Sequence, residues 1–243
     1  MNEIQKKYQK EIEEIVEACH RCAELGYVTS SGGNLSYRLS DGNILITPTK
    51  TPKLRMKFED ICVIDEKGNE VFFPDGKKPT GEMPFHIRIM NARKDVKAIV
   101  HAHPPVITGF AIARSDLLSK AILPEPVIEV GPMLNVGYAT PLSEELSQNF
   151  DAVIHKSNAF VMENHGALVC SVTTLTDAVD YMEMYEAMAK SIVVSKIIGK
   201  VNLLTKEDVS ELNKVSKTRN LAIPGGDNTK NLLDIYNNME VCL

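Results

Sequence analysis

PTGEMPFHIRIMNARKDVKAIVHAHPP, residues 79–105, joins a carboxylate, a helix-like segment and a strand-like run that ends in two histidines. Side chains two positions apart on a strand point to the same face, so His101 and His103 would aim both imidazoles at one point. Pro104 and Pro105 would end the strand there. Imidazole is the commonest metal ligand, and a catalytic zinc usually has three protein ligands and one open position. The spacing therefore indicates a metal site at a strand end, although two polar strand positions would give the same pattern.

A third ligand is available further along the chain, in the sequence ENHG at residues 163–166. This segment lies between two apolar runs, which predicts a strand, a turn and a second strand, with His165 in the turn. The carboxylate of Glu82 opens the central stretch, and His86 follows it four residues later on the same face of the predicted helix. We expect His86 to support the site or to pack, rather than to bind metal.

Length and composition describe an ordinary globular protein. The 243 residues are 44% hydrophobic and 24% charged, and they are consistent with a single domain over residues 1–243. The net charge of −5 gives no electrostatic reason to expect nucleic acid or an anionic membrane as a partner. The charged N-terminal stretch does not resemble a signal peptide, and no run approaches the about 20 apolar residues of a membrane span.

The cysteines favour a reducing compartment. There are five, an odd number at scattered positions, which argues for free thiols and predicts a cytoplasmic protein. Cys19 and Cys22 form a C-x-x-C pattern, but they lie in a segment with helical periodicity. We therefore interpret them as helix-packing residues rather than as a redox or metal pair.

Two loops could bind an anion. Gly32-Gly33-Asn34 allows positive φ and exposes backbone N–H groups, which can hold a phosphate or carboxylate, although a plain hairpin turn explains the same residues. Thr49 and Lys50 lie in a proline-bounded basic turn after the strand-like segment 43–47. They could meet an anion or belong to a solvated loop.

The remaining segments predict helices and strands without strict alternation. Helices are predicted at residues 3–25, 106–118, 143–155, 174–199 and 205–215. Strands are predicted at residues 43–47, 61–65, 70–73, 159–162 and 167–170, and 121–130 is expected to be an extended edge strand broken by prolines. Residues 135–141 are predicted to be a loop, and 221–243 an irregular tail with a final turn near 232–236. The fold class is a single-domain α/β or α+β layered sandwich with antiparallel hairpins.

Five segments, taken together and in this order, resemble the class II aldolase/adducin family, which includes L-fuculose-phosphate aldolase and L-ribulose-5-phosphate 4-epimerase. They are SSGGNLSYRL at 30–39, ILITPTK at 44–50, KPTGEMPFH through IVHAHPP at 78–105, YATPLSEEL at 138–146 and MENHGALV at 162–169. The resemblance implies a central, mostly antiparallel sheet between helix layers. It also implies a homotetramer whose active sites lie at subunit interfaces.

The resemblance assigns roles to individual residues. It makes His101, His103 and His165 the ligands of a divalent metal, normally zinc, although such nitrogen ligands also accept manganese, cobalt or iron. Glu82 matches the catalytic acid/base, which can serve as a fourth ligand when no substrate is bound. Tyr138 matches a catalytic tyrosine that reaches the site of the neighbouring subunit.

The resemblance also outlines a phosphate pocket. The matching positions are Gly33, Asn34, Thr49, Lys50, Thr80 and Gly81. In the fuculose-phosphate aldolases the position of Lys50 is a glycine and that of Gly81 is a serine, so a hydroxyl is lost and a cation is gained here. The epimerases generally have aspartate at the position of Glu82, and glutamate favours carbon–carbon cleavage over epimerisation.

The function implied is that of a class II aldolase. It would cleave a ketose-1-phosphate similar to L-fuculose-1-phosphate into dihydroxyacetone phosphate and an aldehyde, through a zinc-stabilised enediolate. The same enediolate arises when a phosphorylated β-keto sugar acid loses CO2, so a decarboxylase is the alternative, and a ribulose-5-phosphate 4-epimerase is another. A non-enzymatic adducin-like module is disfavoured because all three metal histidines are present.

Overall fold

The computed structural model describes residues 2–226 and 231–236, which build one mixed sheet with helices on both faces. The strands are β1 (Asn34–Arg38), β2 (Ile44–Ile46), β3 (Cys62–Ile64), β4 (Glu70–Phe72), β5 (Ala98–Ala102), β6 (Met133–Val136), β7 (Ala159–Met162) and β8 (Gly166–Ser171). Their order across the sheet is β4-β3-β2-β1-β5-β8-β7-β6. Every neighbouring pair is antiparallel except β6 and β7. The predicted layered α/β fold with a mostly antiparallel sheet is confirmed.

The helices cover the sheet in two layers. They are α1 (Glu3–Lys7), α2 (Gln9–Glu24), α3 (Met83–Ala92), α4 (Pro105–Ala113), α5 (Pro124–Glu129), α6 (Glu144–Gln148), α7 (Leu175–Ile198), α8 (Lys206–Thr218) and α9 (Leu232–Tyr236). Helices α2, α4 and α7 pack on one face, whereas α3 and α6 pack on the other. A smaller cluster joins α5, α8 and α9 at the edge.

Alternation along the central strand β5 explains why both faces are apolar. Ala98 and Val100 point into the core under α2, α4 and α7, and Ile99 points into the core under α3. All three are fully buried. His101 continues the Ile99 face of the strand, so the fold directs it toward α3 and Glu82.

The strongest sequence patterns give the expected elements. Helix α7 begins after Thr174, whose hydroxyl accepts a hydrogen bond from the Asp177 backbone N–H at 3.0 Å, and it ends before Gly199. Strands β3 and β4 form the predicted hairpin. Cys19 and Cys22 are buried in the core face of α2, as the packing interpretation requires.

The prediction of an extended edge strand at 121–130 was wrong, because the structure has helix α5 there. Pro124 is the first helical residue, and Pro126 also lies in the first turn, where the missing N–H is not needed by the helix. The loop predicted at 135–141 was wrong for its first two residues, since Asn135 and Val136 belong to β6, which gains its partner β7 only in the folded chain.

Two predicted helices are shorter than expected, and the tail is partly helical. The segment 143–155 is α-helical only as far as Gln148 and continues as a 3₁₀ turn, Asn149–Ala152. Helix α4 stops at Ala113 because Arg114 adopts the left-handed conformation, with φ of 50°. Of the tail predicted at 221–243, residues 227–230 and 237–243, and therefore Cys242, lie outside the described residues. No helix in the described part of the chain is long and apolar enough to cross a membrane.

Candidate metal centre and active site

Three histidines meet at one end of the central strands. His101 lies on β5 between Asn34 of β1 and Leu168 of β8. His103 follows the end of β5, and its backbone N–H donates to the carbonyl of Tyr27 at 2.7 Å. His165 stands in the turn between β7 and β8. One ring nitrogen of each histidine lies within 4.8 Å of those of the other two, so the predicted convergence of the three imidazoles is present.

Glycine at two positions allows this close approach. A Cβ at Gly166 would lie 2.5 Å from the ring of His103 and 2.6 Å from the carbonyl oxygen of Ala102. A Cβ at Gly33, where φ is +67°, would lie 2.8 Å from the carbonyl oxygen of His101. The glycines next to the cluster are therefore required by the packing of the histidine strand.

His101 and His103 are in the neutral form that binds metal. Nδ1 of His101 donates to the carbonyl of Ala167 at 2.9 Å, which leaves its Nε2 as an acceptor, 3.2 Å from Nε2 of His103. Burial lowers the pKa of His101 well below its usual range. Burial, His165 and Lys53 together lower the pKa of His103 to about 4. Neutral rings with free lone pairs are what a divalent cation requires.

The carboxylate of Glu82 completes the cluster. Glu82 is the N-cap residue of α3, and its side chain is largely buried. One carboxylate oxygen lies 3.4 Å from Nε2 of His101, and the other lies 3.4 Å from Nε2 of His165. Three imidazole nitrogens and one carboxylate oxygen form a donor set suited to zinc, and Nδ1 of His165 is buried without a hydrogen-bond partner among the described residues. The residues therefore fit a divalent metal.

A chain of hydrogen bonds through Asn34 and His86 fixes the carboxylate of Glu82. The amide of Asn34 donates to Glu82 Oε2 at 2.7 Å, and its oxygen accepts from Nε2 of His86 at 2.5 Å. Nδ1 of His86 accepts from the hydroxyl of Ser36 at 2.7 Å. Burial lowers the pKa of His86 to about 3, so this ring is neutral. The expectation that His86 supports the site is consistent with this arrangement, whereas the side chain of Asn34, predicted to bind phosphate, is directed to Glu82.

The loops predicted to bind phosphate lie side by side. An isolated bridge joins Pro48 to Pro79, and the backbone N–H of Thr80 donates to the carbonyl of Thr47 at 3.0 Å. The hydroxyl of Thr80 accepts a hydrogen bond from the backbone N–H of Glu82. The loops therefore lie next to the carboxylate.

The two positions that depart from the family pattern are both exposed. Lys50 is exposed, like the neighbouring Thr49. Its φ of +55° lies in the left-handed region that favours glycine, so a lysine at this position has a cost in backbone free energy. A Cβ at Gly81 would lie 2.9 Å from the side chain of Leu142, so the serine of the fuculose-phosphate aldolases would crowd this leucine.

Tyr138, the second residue predicted to be catalytic, lies at the protein surface. It is 53% exposed on the loop after β6. No hydrogen bond or ring contact links it to the histidines within the described chain. This position is consistent with a side chain that serves another subunit, which stays a prediction.

Sequence reasoning missed Lys53 altogether. Its side chain is only 1% exposed, and its charge contributes to the low pKa of His103. The segment around it reads as a polar turn with no apolar periodicity, so nothing in the local pattern predicts that this lysine is buried.

The sheet, the three-histidine cluster and the nearby carboxylate define an α/β sandwich protein with a potential metal centre. A sequence model of the family "Class II Aldolase and Adducin N-terminal domain" matches residues 13–193. The chain belongs to this family, and the resemblance read from its five segments is confirmed.

Relatives within the family differ in their reactions. The 3-oxo-tetronate 4-phosphate decarboxylase of Haemophilus influenzae is 32% identical over 198 residues, covering 80% of this chain and 91% of that protein. The L-fuculose phosphate aldolase of Methanococcus maripaludis strain C7 is 34% identical over 176 residues, covering 72% and 92%. The crystal structure of YgbL from Klebsiella pneumoniae, named as a candidate aldolase, epimerase or decarboxylase, superimposes with a TM-score of 0.78 at 29% identity, covering 84% of this chain and 98% of that one.

Proposed function

We propose that this protein is a metal-dependent lyase that breaks a carbon–carbon bond beside the ketone of a phosphorylated sugar acid and releases CO2. The observation that carries the proposal is the cluster of three imidazoles with both oxygens of Glu82 beside it. Similarity to decarboxylases over 80% of the chain favours this reaction among those of the family. The decarboxylase, which was the alternative in the sequence analysis, is thus preferred to the aldolase. Both reactions are lyase reactions.

His101, His103 and His165 would hold the divalent cation, for which zinc is the metal the donor set fits well. A bound cation would supply Lewis-acid polarisation of the ketone oxygen and thereby lower the energy of the developing enediolate. Imidazole binds metal as a neutral ligand, so the three histidines would leave the charge of the cation undiminished. The hydrogen bond from His101 to the Ala167 carbonyl would fix the ring that binds it.

Glu82 is the residue that we propose to move the proton. When a β-keto acid loses CO2, the electron pair of the broken bond remains on the α-carbon and the ketone oxygen, as an enediolate. A proton must then be added to that carbon to give the ketone product. Asn34 holds Oε2 of Glu82 at 2.7 Å, and Oε1 lies 3.4 Å from Nε2 of His165. Glu82 in its acid form would deliver the proton to the α-carbon, and the resulting carboxylate would take a proton from water before the next turnover. The fixed orientation of the carboxyl group would contribute to the rate because little reorganisation is required.

The adjoining loops would hold the phosphate. The backbone N–H groups of Gly33 and Gly81 and the hydroxyls of Thr49 and Thr80 would supply neutral donors, since the backbone N–H of Thr49 already donates to the carbonyl of Lys78. The ammonium of Lys50 would supply a charge. The cation at position 50 suits a substrate that carries a carboxylate in addition to its phosphate. We propose that the active form is a homotetramer, as the family resemblance implies.

Aldol cleavage of a ketose-1-phosphate is the second candidate. The same metal and the same Glu82 would serve, but the aldehyde oxygen would also need a proton donor. Tyr138 is 53% exposed, so its hydroxyl is free to reach a neighbouring subunit and fill this role. Decarboxylation has no aldehyde oxygen to protonate. Tyr138→Phe should therefore slow an aldolase strongly and a decarboxylase much less.

The test uses full-length protein loaded with zinc and two substrates, 3-oxo-tetronate 4-phosphate and L-fuculose 1-phosphate. Isotopically labelled CO2 and the aldehyde are measured separately, because dihydroxyacetone phosphate is a product in both cases. CO2 release from the first substrate alone supports the decarboxylase. Aldehyde release from the second alone supports the aldolase and refutes our first choice. Protein with His103→Ala is the control for metal-independent breakdown.

A further inference from the structure

Lys53 is a buried cation that the proposed reaction does not use directly. It opens the short 3₁₀ turn Lys53–Arg55, immediately after the loop that carries Thr49 and Lys50. Only 1% of its surface is exposed. A lysine is almost never fully buried without a partner of opposite charge.

Its ammonium group has only neutral acceptors. Nζ donates to the carbonyl of Ser31 at 3.3 Å and to the carbonyl of Thr51 at 3.3 Å. No carboxylate among the described residues forms an ion pair with it. Burial lowers the pKa of Lys53, as expected for a charge removed from water. Both hydrogen bonds are long, so they offset only part of the desolvation cost.

The two acceptors belong to the two loops that are expected to hold the anion. Ser31 precedes Gly32, where a Cβ would lie 3.3 Å from Nδ1 of His103, so this turn packs directly on the metal centre. Thr51 belongs to the loop of Thr49, which is the second segment of the proposed phosphate pocket. A single ammonium group therefore links the turn at 30–34 to the loop at 47–53.

The charge of Lys53 also extends into the site. It contributes to the low pKa of His103, after burial and His165. The carboxylate of Glu82 in turn opposes the effect of burial on Lys53. An apolar side chain of similar length, such as methionine, would fill the same space without the cost of burying a charge. The chain thus keeps a buried positive charge, with no ion-pair partner among the described residues, beside a site for negatively charged substrates.

We propose that Lys53 is a positioning residue for the anionic end of the substrate. It holds the two loops in the arrangement that binds phosphate, and the bound anion adds negative charge near a cation whose hydrogen-bond acceptors in the free protein are neutral carbonyls. This inference rests on the proposed function, since it assumes that the substrate is phosphorylated. It differs from the assignment of Lys50, which is exposed and would contact the anion itself.

The test measures the affinity of zinc-loaded protein for inorganic phosphate by isothermal titration calorimetry. Lys53→Met should weaken phosphate binding by at least about tenfold, because the loops lose their link and the site loses its charge. Lys53→Arg keeps the charge and should bind phosphate within about threefold of the unmodified protein. Lys57→Met, which removes an exposed lysine from the next turn, is the matched control and should change nothing.

A purely structural role makes the opposite predictions. It would lower the melting temperature of the Lys53→Met protein and leave its phosphate affinity unchanged, whereas our proposal expects zinc content and melting temperature to be maintained. With the phosphorylated substrate, the KM of the Met variant should rise much more than kcat falls.

The remaining outcomes separate this inference from the proposed function. Phosphate binding that is equal in the unmodified and Lys53→Met proteins would overturn the role of Lys53 alone. Absence of phosphate binding by the unmodified protein would overturn both the anion site and this inference. If Lys53→Met does not fold, Lys53→Gln, which keeps a hydrogen-bond donor, takes its place. Failure of both neutral variants to fold would show that the residue is structural.

Discussion

The buried His86 should make the stability of this protein depend on pH, and the effect can be isolated by substitution. His86 lies in the core between Ser36 and Asn34, with its ring stacked on Phe85 at a centroid distance of 4.7 Å. It is fully buried, and burial lowers its pKa from the usual 6.5 to about 3. The folded protein therefore keeps this ring neutral under conditions in which the unfolded chain protonates it.

The sign of the effect follows from proton binding. Between pH 6.5 and about 3 the unfolded state binds a proton at His86 that the folded state does not, so stability is lost as the pH falls through this window. The free energy of unfolding should fall with a slope approaching about 1.4 kcal/mol per pH unit from this residue. At pH 5 the accumulated loss is about 2 kcal/mol, a sizeable part of the roughly 5–15 kcal/mol of a typical domain.

The assay is urea denaturation of metal-free protein at a series of pH values from 7.5 to 5, for the unmodified chain and for His86→Gln. The variant loses stability at all pH values because hydrogen bonds to Ser36 and Asn34 are disturbed. The informative quantity is the slope against pH, which should be smaller in the variant by about one bound proton. His101 and His103 contribute the same slope to both proteins and cancel. Equal slopes in the two proteins would refute the assignment of a neutral, buried His86.

Three further substitutions test the site. His103→Ala should abolish stoichiometric zinc binding, measured by atomic emission after dialysis, whereas the exposed His155→Ala should retain it; a zinc-replete His103 variant would contradict the ligand assignment. Glu82→Gln should keep zinc but prevent deuterium uptake from D2O at the α-carbon of the product, and unchanged uptake would exclude Glu82 as the proton donor. Gly33→Ala should lose about 1–3 kcal/mol in urea denaturation, since φ is +67° and a Cβ would meet backbone at 2.8 Å. Gly42→Ala, with φ of +90° and open space around it, should lose less free energy of unfolding. A loss as large as that of Gly33→Ala would show that the contact of a Cβ at position 33 with the His101 carbonyl does not matter.

The parts of the site on regular strands could be predicted from sequence. The period of two along β5 places His101 and His103 together, and a strand–turn–strand pattern places His165 in a turn. The structure brings these three imidazoles within 4.8 Å, while their role as metal ligands stays a prediction. The strands and the long helices were predictable for the same reason, because each repeats a periodic pattern of apolar side chains over several residues. The role of Glu82 as an acid/base is predicted from the family resemblance and not from periodicity.

The parts that depend on contacts between distant segments could not be predicted. The link from Ser36 through His86 and Asn34 to Glu82 joins β1 to α3, and no local pattern records it. Lys53 is buried by segments distant in the sequence, among them the turn at 30–34, where the carbonyl of Ser31 accepts a hydrogen bond from its ammonium group. The strand β6 likewise exists through its pairing with β7. The edge strand predicted at 121–130 was wrong because prolines are compatible with the first turn of a helix, here α5, as well as with an edge strand.

The division of the site between sheet and loops explains why the family is clear and the substrate is not. The histidines, Asn34 and Glu82 lie on or next to the central strands and α3, where packing on both sides fixes their positions. In the proposed function these residues would serve any reaction that passes through an enediolate, so they are compatible with relatives named as decarboxylases and as aldolases. The residues that would distinguish the substrates, Lys50 and Tyr138, are exposed on loops, where substitutions cost little stability. If the proposed function holds, substrate choice would therefore change within this family while the buried histidines, Asn34 and Glu82 are retained, and the charge of Lys50 would favour an acidic sugar phosphate.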